Sequence, residues 1–293
     1  MSAVDAVLVI GTGTMGQGIA QVVAAAGMHA RMVDSEEARV RAAVQSIEKA
    51  TAKVVEKGKM SADDRAALLS RLEPTTSIED GARDASLVIE AVPEQMDLKV
   101  AVMKRAAKAA PETAILGSNT SSLSLTELGA RLGAAHRTVG LHFFNPVPVM
   151  ELCEIVRGLG TSEATIDLAL AFSKRIKKTP IVVNDSPGFA TSRLGVIVGC
   201  EAIRMLEAGV ASVEDIDRAM ELGYRHPMGP LKLGDLVGLD VRLGILEHLH
   251  AELGEQFRPP SLLRQMVRAG KLGKKSGEGF YRWTESGPIP AKR

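Results

Sequence analysis

The stretch "VLVIGTGTMGQG", residues 7–18, limits the possible folds of this chain more than any other segment. Gly11, Gly13 and Gly16 stand in G-x-G-x-x-G spacing, directly after an apolar run and at the opening of a helical pattern. Each glycine has a physical task in such a turn: a tight bend, close approach of backbone to a pyrophosphate, and close helix–strand packing. Thr14 and Met15 lie inside the turn, where a helix N-terminus offers N–H groups to an anion. Asp34 ends the next apolar run 18 residues after Gly16. A carboxylate at about that distance meets the adenosine ribose of a dinucleotide, although the same position also suits a residue that merely starts the following helix. A carboxylate there repels a 2′-phosphate, and Ser35, Glu36 and Glu37 follow with no arginine before Arg39. NAD is therefore expected over NADP. No Gly-Lys-Ser/Thr follows the glycines, which argues against a triphosphate loop.

From residue 6 to about 185, short apolar runs alternate with helical stretches, the signature of a parallel α/β sheet. The runs are "AVLVIG" (6–11), "HARMVD" (29–34), "ASLVIEAV" (85–92), "AILGSN" (114–119), "RTVGLHFF" (137–144), "CEIVRG" (153–158) and "PIVVND" (180–185). "NDSPGF" (184–189) reads as a turn and a boundary. Beyond it no strand is evident. The pattern predicts an α/β Rossmann-like N-terminal domain with a mainly parallel sheet over residues 1–185, then an all-α C-terminal domain over 186–293. "GFATSRLGVIVGCEAIRMLEAG" (188–209) predicts a long helix, and Ser212 followed by Asp215 resembles a capping box for the next one. A helix apolar over most of its circumference must be covered on all sides. In a lobe of this size a second subunit is the natural cover, so a homodimer through the C-terminal helices is expected.

Composition removes several classes. The chain has 293 residues, 24% charged, with a net charge of +1, which leaves no electrostatic footprint for nucleic acid. No apolar run reaches the 18 or more residues of a membrane span. Cys153 and Cys200 make no disulfide framework, and no Cys/His cluster has metal-ligand spacing. The opening "MSAVDAVLVIG" lacks the basic segment of a signal or transit peptide. A cytoplasmic protein without a metal is the expectation.

"GLHFFNPVPVMELCEIV" (140–156) places His142 near the end of a predicted strand and Glu154 in the following strand-like run. An enzyme that oxidises an alcohol with a dinucleotide needs a base for the hydroxyl proton, and histidine titrates near working pH. A carboxylate beside it would fix the tautomer and stabilise the imidazolium. "SNTSS" (118–122) ends the preceding strand on the same edge and offers hydroxyls to a polar substrate. Taken alone, a histidine among phenylalanines also fits a packed core residue.

Together with the glycine turn, the segments "IEAVPE", "SNTSSLS", "GLHFFNPVPVMELCEIV", "DSPGF", "HPMGPLKLGDLVGLD" and "KLGKKSGEGFY" resemble the L-3-hydroxyacyl-CoA dehydrogenase family, in its short bacterial 3-hydroxybutyryl-CoA form. The resemblance covers nearly the whole chain. It implies a Rossmann-like domain followed by a helical dimerisation domain, an acyl-CoA substrate and a place in fatty acid metabolism. It also implies that His142 is the base, Glu154 its partner, and Ser121 the hydroxyl that binds the substrate oxygen. Asp34, Glu94, Lys99, Ser121, Asn145 and Lys275 would contact NAD. Lys49, Lys53 and Lys57 recur at i, i+4 and i+8 with Arg41 on the same row, so they share one helix face. Such a stripe usually faces solvent, but the resemblance places coenzyme A contacts here, on Lys53 and Lys57. Two departures stand out: Ala50 replaces a serine used by some relatives, and Ser192 stands where the family commonly has an asparagine. A small-acid β-hydroxyacid dehydrogenase shares the glycine turn but uses a lysine instead of a His/Glu pair. A crystallin-like, non-catalytic relative would not need Ser121, His142 and Glu154 intact.

Overall fold

The structure, a computed structural model, describes residues 4–291. The first three residues, and the last two of the expected C-terminal domain, lie outside the described residues. The chain divides into two compact units, Met1–Ser186 and Pro187–Arg293.

The first unit runs β1 (Ala6–Ile10), α1 (Thr14–Ala25), β2 (His29–Val33), α2 (Glu37–Glu56), α3 (Ala62–Leu69), β3 (Leu72–Thr75), α4 (Ile78–Ala82), β4 (Leu87–Glu90), α5 (Met96–Ala109), β5 (Ile115–Ser118), α6 (Leu125–Leu132), β6 (Thr138–Phe143), β7 (Leu152–Arg157), α7 (Glu163–Arg175) and β8 (Thr179–Asn184). Its eight strands form one sheet in the order β3-β2-β1-β4-β5-β6-β7-β8. All neighbours are parallel except β6 and β7, which are antiparallel. The strand order reverses direction between β1 and β4, the switch point where such sheets open a crevice for ligands.

The central strands are buried from end to end, as when helices cover both faces of a sheet. In β1 successive side chains serve opposite cores: Val7 and Val9 belong to one apolar cluster, Leu8 and Ile10 to the other. That is the period of two expected of a strand.

The short edge strand β3 is absent from the sequence reading. Pro74 interrupts its apolar signal, and proline is tolerated only at such an edge.

The second unit contains α8 (Thr191–Glu207), α9 (Val213–Arg218), α10 (Pro230–Val237), α11 (Leu239–Leu253) and α12 (Ser261–Arg268). Ser212 caps α9 as its sequence suggests: its hydroxyl accepts the Asp215 N–H at 3.1 Å. The helical lobe ends in a two-stranded antiparallel hairpin, β9 (Tyr281–Thr284) and β10 (Gly287–Pro290), that the sequence reading does not foresee. Pro288 and Pro290 hide β10 from a reading based on strand propensity. The hairpin is anchored by the buried Asp235 carboxylate, which accepts the N–H groups of Phe280 at 2.9 Å and Tyr281 at 2.8 Å and the Trp283 indole N–H at 3.2 Å.

Candidate active site

The glycine turn lies at the C-terminal end of β1. Gly11 adopts φ +97°, and a Cβ there would meet the Ala91 carbonyl oxygen at 2.8 Å. A Cβ on Gly13, the residue before α1, would meet nothing within 4 Å, so this glycine borders the open space that a pyrophosphate needs. Beside the turn is a cavity of about 570 Å³. Gly11, Gly13, Thr14, Met15, Asp34, Ser35 and Arg39 line one side, and Ala91, Val92, Pro93 and Arg105 line the other. The Asp34 carboxylate is pre-set at its rim: Oδ2 accepts the Thr12 N–H and hydroxyl, both at 2.9 Å, and Oδ1 accepts the Ser35 N–H at 2.8 Å. Burial alone would raise its pKa, but these donors hold it below the ordinary carboxylate value. The cavity therefore fits a dinucleotide with an ionised acid at the ribose end.

A sharper expectation follows from Arg39, which shares this cavity and among the described residues is tied only to Glu36 at 3.1 Å, with both side chains largely exposed. Such a pair is worth at most about 1 kcal/mol and breaks readily. Asp34→Ala should lower kcat/KM for NAD by roughly 10- to 100-fold, the worth of charge-assisted hydrogen bonds to the ribose. NADP should gain by comparison, because Arg39 is then no longer opposed by Asp34. Steady-state kinetics with both cofactors checks this, and an unchanged NAD/NADP ratio would remove Asp34 from the ribose.

The His142–Glu154 pair follows from strand register. In the antiparallel β6–β7 ladder His142 stands directly opposite Glu154, and directly opposed side chains share a face of the sheet. The His142 Nδ1 lies 2.6 Å from Glu154 Oε2; the histidine is 6% exposed and the glutamate fully buried. An ionised carboxylate only accepts, so Nδ1 carries the proton and the lone pair of the neutral ring lies on Nε2. The Phe144 ring packs at 4.4 Å from the imidazole, tilted by 51°. Cys153, next to Glu154, is buried, and burial pushes its thiol up to about 12. It contributes packing and no thiolate chemistry.

A second polar cluster lies two strands away, across β5. Glu90 ends β4, in register with Ile10 of β1 on one side and Ser118 of β5 on the other. Its carboxylate takes the Lys99 ammonium at 3.0 and 2.9 Å, the Val92 N–H at 3.2 Å and the Ser118 hydroxyl. Lys99, 1% exposed, also reaches the Val92 carbonyl at 3.3 Å and Glu94 Oε2 at 3.1 Å. Glu94 Oε1 in turn accepts the Ser121 N–H at 3.1 Å, the Ser122 hydroxyl at 3.0 Å and the Thr120 hydroxyl. Burial raises Glu90 against the pull of Lys99. For Glu94 burial acts in the same sense, but Lys99 and the hydroxyls outweigh it and leave the carboxyl below its ordinary value. From the other side, Asn119 Oδ1 accepts the Phe143 N–H at 3.0 Å, tying this turn to the strand of His142.

Sequence reasoning names Glu94, Lys99 and Ser121 but misses Glu90. The signal was available: a carboxylate ending a fully apolar strand is almost never buried without a partner. Asn145 is exposed, just after β6. In the second unit Lys275 pairs with Asp240 at 2.6 Å, and Ser192 is the half-buried second residue of α8. Arg41, Lys49, Lys53 and Lys57 are all exposed, Lys57 capping the C-terminus of α2. Beside that end lies a second cavity of about 390 Å³, walled by Val22, Ala25, Val54, Met60, Pro148 and Val149 and lined also by Lys59, Lys177 and Lys178.

Comparison with known proteins covers both units. Residues 6–186 match the family model described as the 3-hydroxyacyl-CoA dehydrogenase NAD binding domain, and residues 188–283 match the C-terminal domain of the same family. The chain is 44% identical over 280 residues to a probable 3-hydroxybutyryl-CoA dehydrogenase of Bacillus subtilis, covering 95% of this chain and 97% of that one. It is 43% identical over 274 residues to the 3-hydroxybutyryl-CoA dehydrogenase of Clostridioides difficile, covering 93% and 97%. Its fold superposes on the crystal structure of (S)-3-hydroxybutyryl-CoA dehydrogenase from Ralstonia eutropha with a TM-score of 0.93 and 42% identity, over 97% of this chain and 100% of the other. A switch-point cavity fit for NAD, a buried His–Glu pair on the same sheet edge, and full-length likeness to these relatives lead to one conclusion: the chain belongs to the 3-hydroxyacyl-CoA dehydrogenase family.

Proposed function

We propose that the protein interconverts a short-chain (S)-3-hydroxyacyl-CoA, such as 3-hydroxybutanoyl-CoA, and the matching 3-oxoacyl-CoA. The observation that carries this reading is the His142–Glu154 pair, 2.6 Å apart and buried at the sheet edge that bears the cofactor cavity. NAD, when bound, supplies the acceptor for hydride from the substrate C3. His142 Nε2 takes the hydroxyl proton as the carbonyl forms, and Glu154 stabilises the imidazolium that results. Ser121 donates its hydroxyl to the substrate oxygen. Asp34, Glu94, Ser121 and Asn145 of the first unit hold NAD, with Lys99 behind Glu94. The test is NADH oxidation with acetoacetyl-CoA, with longer 3-oxoacyl-CoAs and with free acetoacetate. Activity on the free acid and none on the thioester would overturn the reading.

Coenzyme A meets the first unit at the C-terminal end of α2. The cavity there combines an apolar wall suited to pantetheine with two exposed lysines, Lys59 and Lys177, suited to phosphates. The buried Lys178 ammonium is held by the Val147 and Met150 carbonyls at 2.6 Å. Lys53 and Lys57 add charge outside the cavity. Lys57→Ala should raise KM for acetoacetyl-CoA a few-fold and leave kcat alone, since an exposed ion pair is worth about 1 kcal/mol at most. Lys59→Ala, whose side chain lines the cavity, should do at least as much. Both effects should shrink at high salt; a salt-independent loss of kcat would assign these lysines a structural role.

The working form is a cytoplasmic homodimer built on the second unit. Leu194 of α8, Leu236 and Val237 of α10 and Val241 of α11 are each more than two-fifths exposed, an apolar surface that a second copy would cover. Among the described residues no helix is long and apolar enough to cross a membrane. Sedimentation measures the state directly, and a monomer at micromolar concentration would refute the dimer.

A further inference from the structure

The Glu90–Lys99–Glu94 cluster is too costly to be mere filler. Two of its three charged groups, Glu90 and Lys99, are buried where apolar residues could pack, and a buried ion pair is weak evidence for stability by itself. Its geometry points elsewhere. Glu90 faces Ser118, where β5 ends and the turn begins; Lys99 bridges Glu90 to Glu94; and Glu94 is the one member with substantial exposure, 39% of its side chain. Among the described residues, every bond Glu94 makes beyond Lys99 goes to the turn that carries Ser121, including the Ser121 N–H itself. Among the described residues the Ser121 hydroxyl makes no hydrogen bond of its own, so the turn is clamped through its backbone and its neighbours while that hydroxyl is left for other use. Ala91, next to Glu90, is also the residue pressed against Gly11. The cluster thus fixes the Ser121 turn relative to the cofactor turn.

We propose that Glu90 and Lys99 are positioning residues for hydride transfer, acting through Glu94 to hold Ser121 in place. This rests on the reading of Ser121 as the group that binds the substrate oxygen. Glu94 Oε1 takes the three donors of the turn, and Lys99 holds the other oxygen of the same carboxylate at 3.1 Å.

The test measures single-turnover reduction of acetoacetyl-CoA by NADH in Lys99→Met, Ser122→Ala, Ser121→Ala and the Lys99→Met/Ser121→Ala double variant. Lys99→Met should slow the hydride step by roughly 10- to 100-fold, the scale of an ångström misplacement. The acyl-CoA concentration for half-maximal rate should shift by less than about 3-fold, because the contacts to coenzyme A are untouched. The double variant should be little slower than the slower single one. Multiplicative losses, or a folded Lys99→Met with the native rate, would overturn the proposal. If Lys99→Met does not fold, Ser122→Ala decides: it leaves the ion pair intact and removes one clamp bond. A few-fold slower hydride step is expected, and an unchanged one overturns the proposal. A wild-type protein inactive on acetoacetyl-CoA would instead refute the proposed function.

Discussion

His142→Gln is expected to lower kcat by roughly 10²- to 10⁴-fold, the usual contribution of a positioned general base. Glutamine roughly fills the space of the imidazole and can still hydrogen-bond Glu154, so the fold should survive, but it cannot take the hydroxyl proton. Glu154→Gln should cost a similar factor for a different reason. An amide oxygen can still accept the Nδ1–H, but the imidazolium loses its buried counter-charge. Glutamine is the right probe for both sites, since truncating one member of a buried pair typically costs about 3–5 kcal/mol. The two residues work as a unit, so the double variant should be far less impaired than the product of the single losses. Steady-state kinetics with acetoacetyl-CoA and NADH, alongside thermal melts of each variant, separates chemistry from stability. Multiplicative losses with normal melts would mean that Glu154 acts on something other than His142.

That the pair is directly opposed is only half legible in the sequence. The sequence places His142 and Glu154 on neighbouring strands, yet says nothing explicit about their direction. The signal was present: β6 ends at Phe143 and β7 begins at Leu152, and the eight residues between them are too few for a parallel crossover of a dozen or more. Antiparallel pairing then brings the two side chains to one face of the sheet. The glycine turn was fully legible because its constraints are local. Gly11, Gly13 and Gly16 are set by bond geometry and by the strand immediately before them.

The features that escaped are those in which tertiary context overrides local preference. β3 and β10 contain prolines and are only four residues long, so their pairing is imposed by β2 and β9. Lys99 is the most instructive case. Resemblance offers it as a cofactor contact, but a lysine in "QMDLKVAVMK" gives no sign that its ammonium is enclosed by two carboxylates and a carbonyl. That depends on Glu90, a residue of a different element, and on the register of β4 with β5. Nor could sequence spacing show that Arg39 shares a cavity with Asp34; the first turn of α2 brings it there.

The second large effect is expected at the glycine turn, where two substitutions of the same size should fail in different ways. In Gly16→Ala the new Cβ would sit 1.8 Å from the Gly11 carbonyl oxygen and 2.9 Å from its carbon. Both are backbone atoms, so no side-chain rotation relieves the clash, and the first turn of α1 must move off the end of β1. Overpacking of this kind costs typically about 1–3 kcal/mol, which predicts a melting temperature lower by several degrees. The N–H groups of α1 would move with the helix, and NAD affinity should fall at least about tenfold for each 1.4 kcal/mol of binding lost. In Gly13→Ala the new Cβ meets no protein atom within 4 Å. The melting temperature should therefore stay at the wild-type value while NAD affinity falls, because the methyl group occupies the space through which the pyrophosphate approaches. Calorimetric titration with NADH and thermal melts of both variants give the comparison. Native NADH affinity in Gly13→Ala would show that the pyrophosphate does not pass over this glycine, and the cofactor would then have to lie along the Ala91–Pro93 wall of the cavity instead.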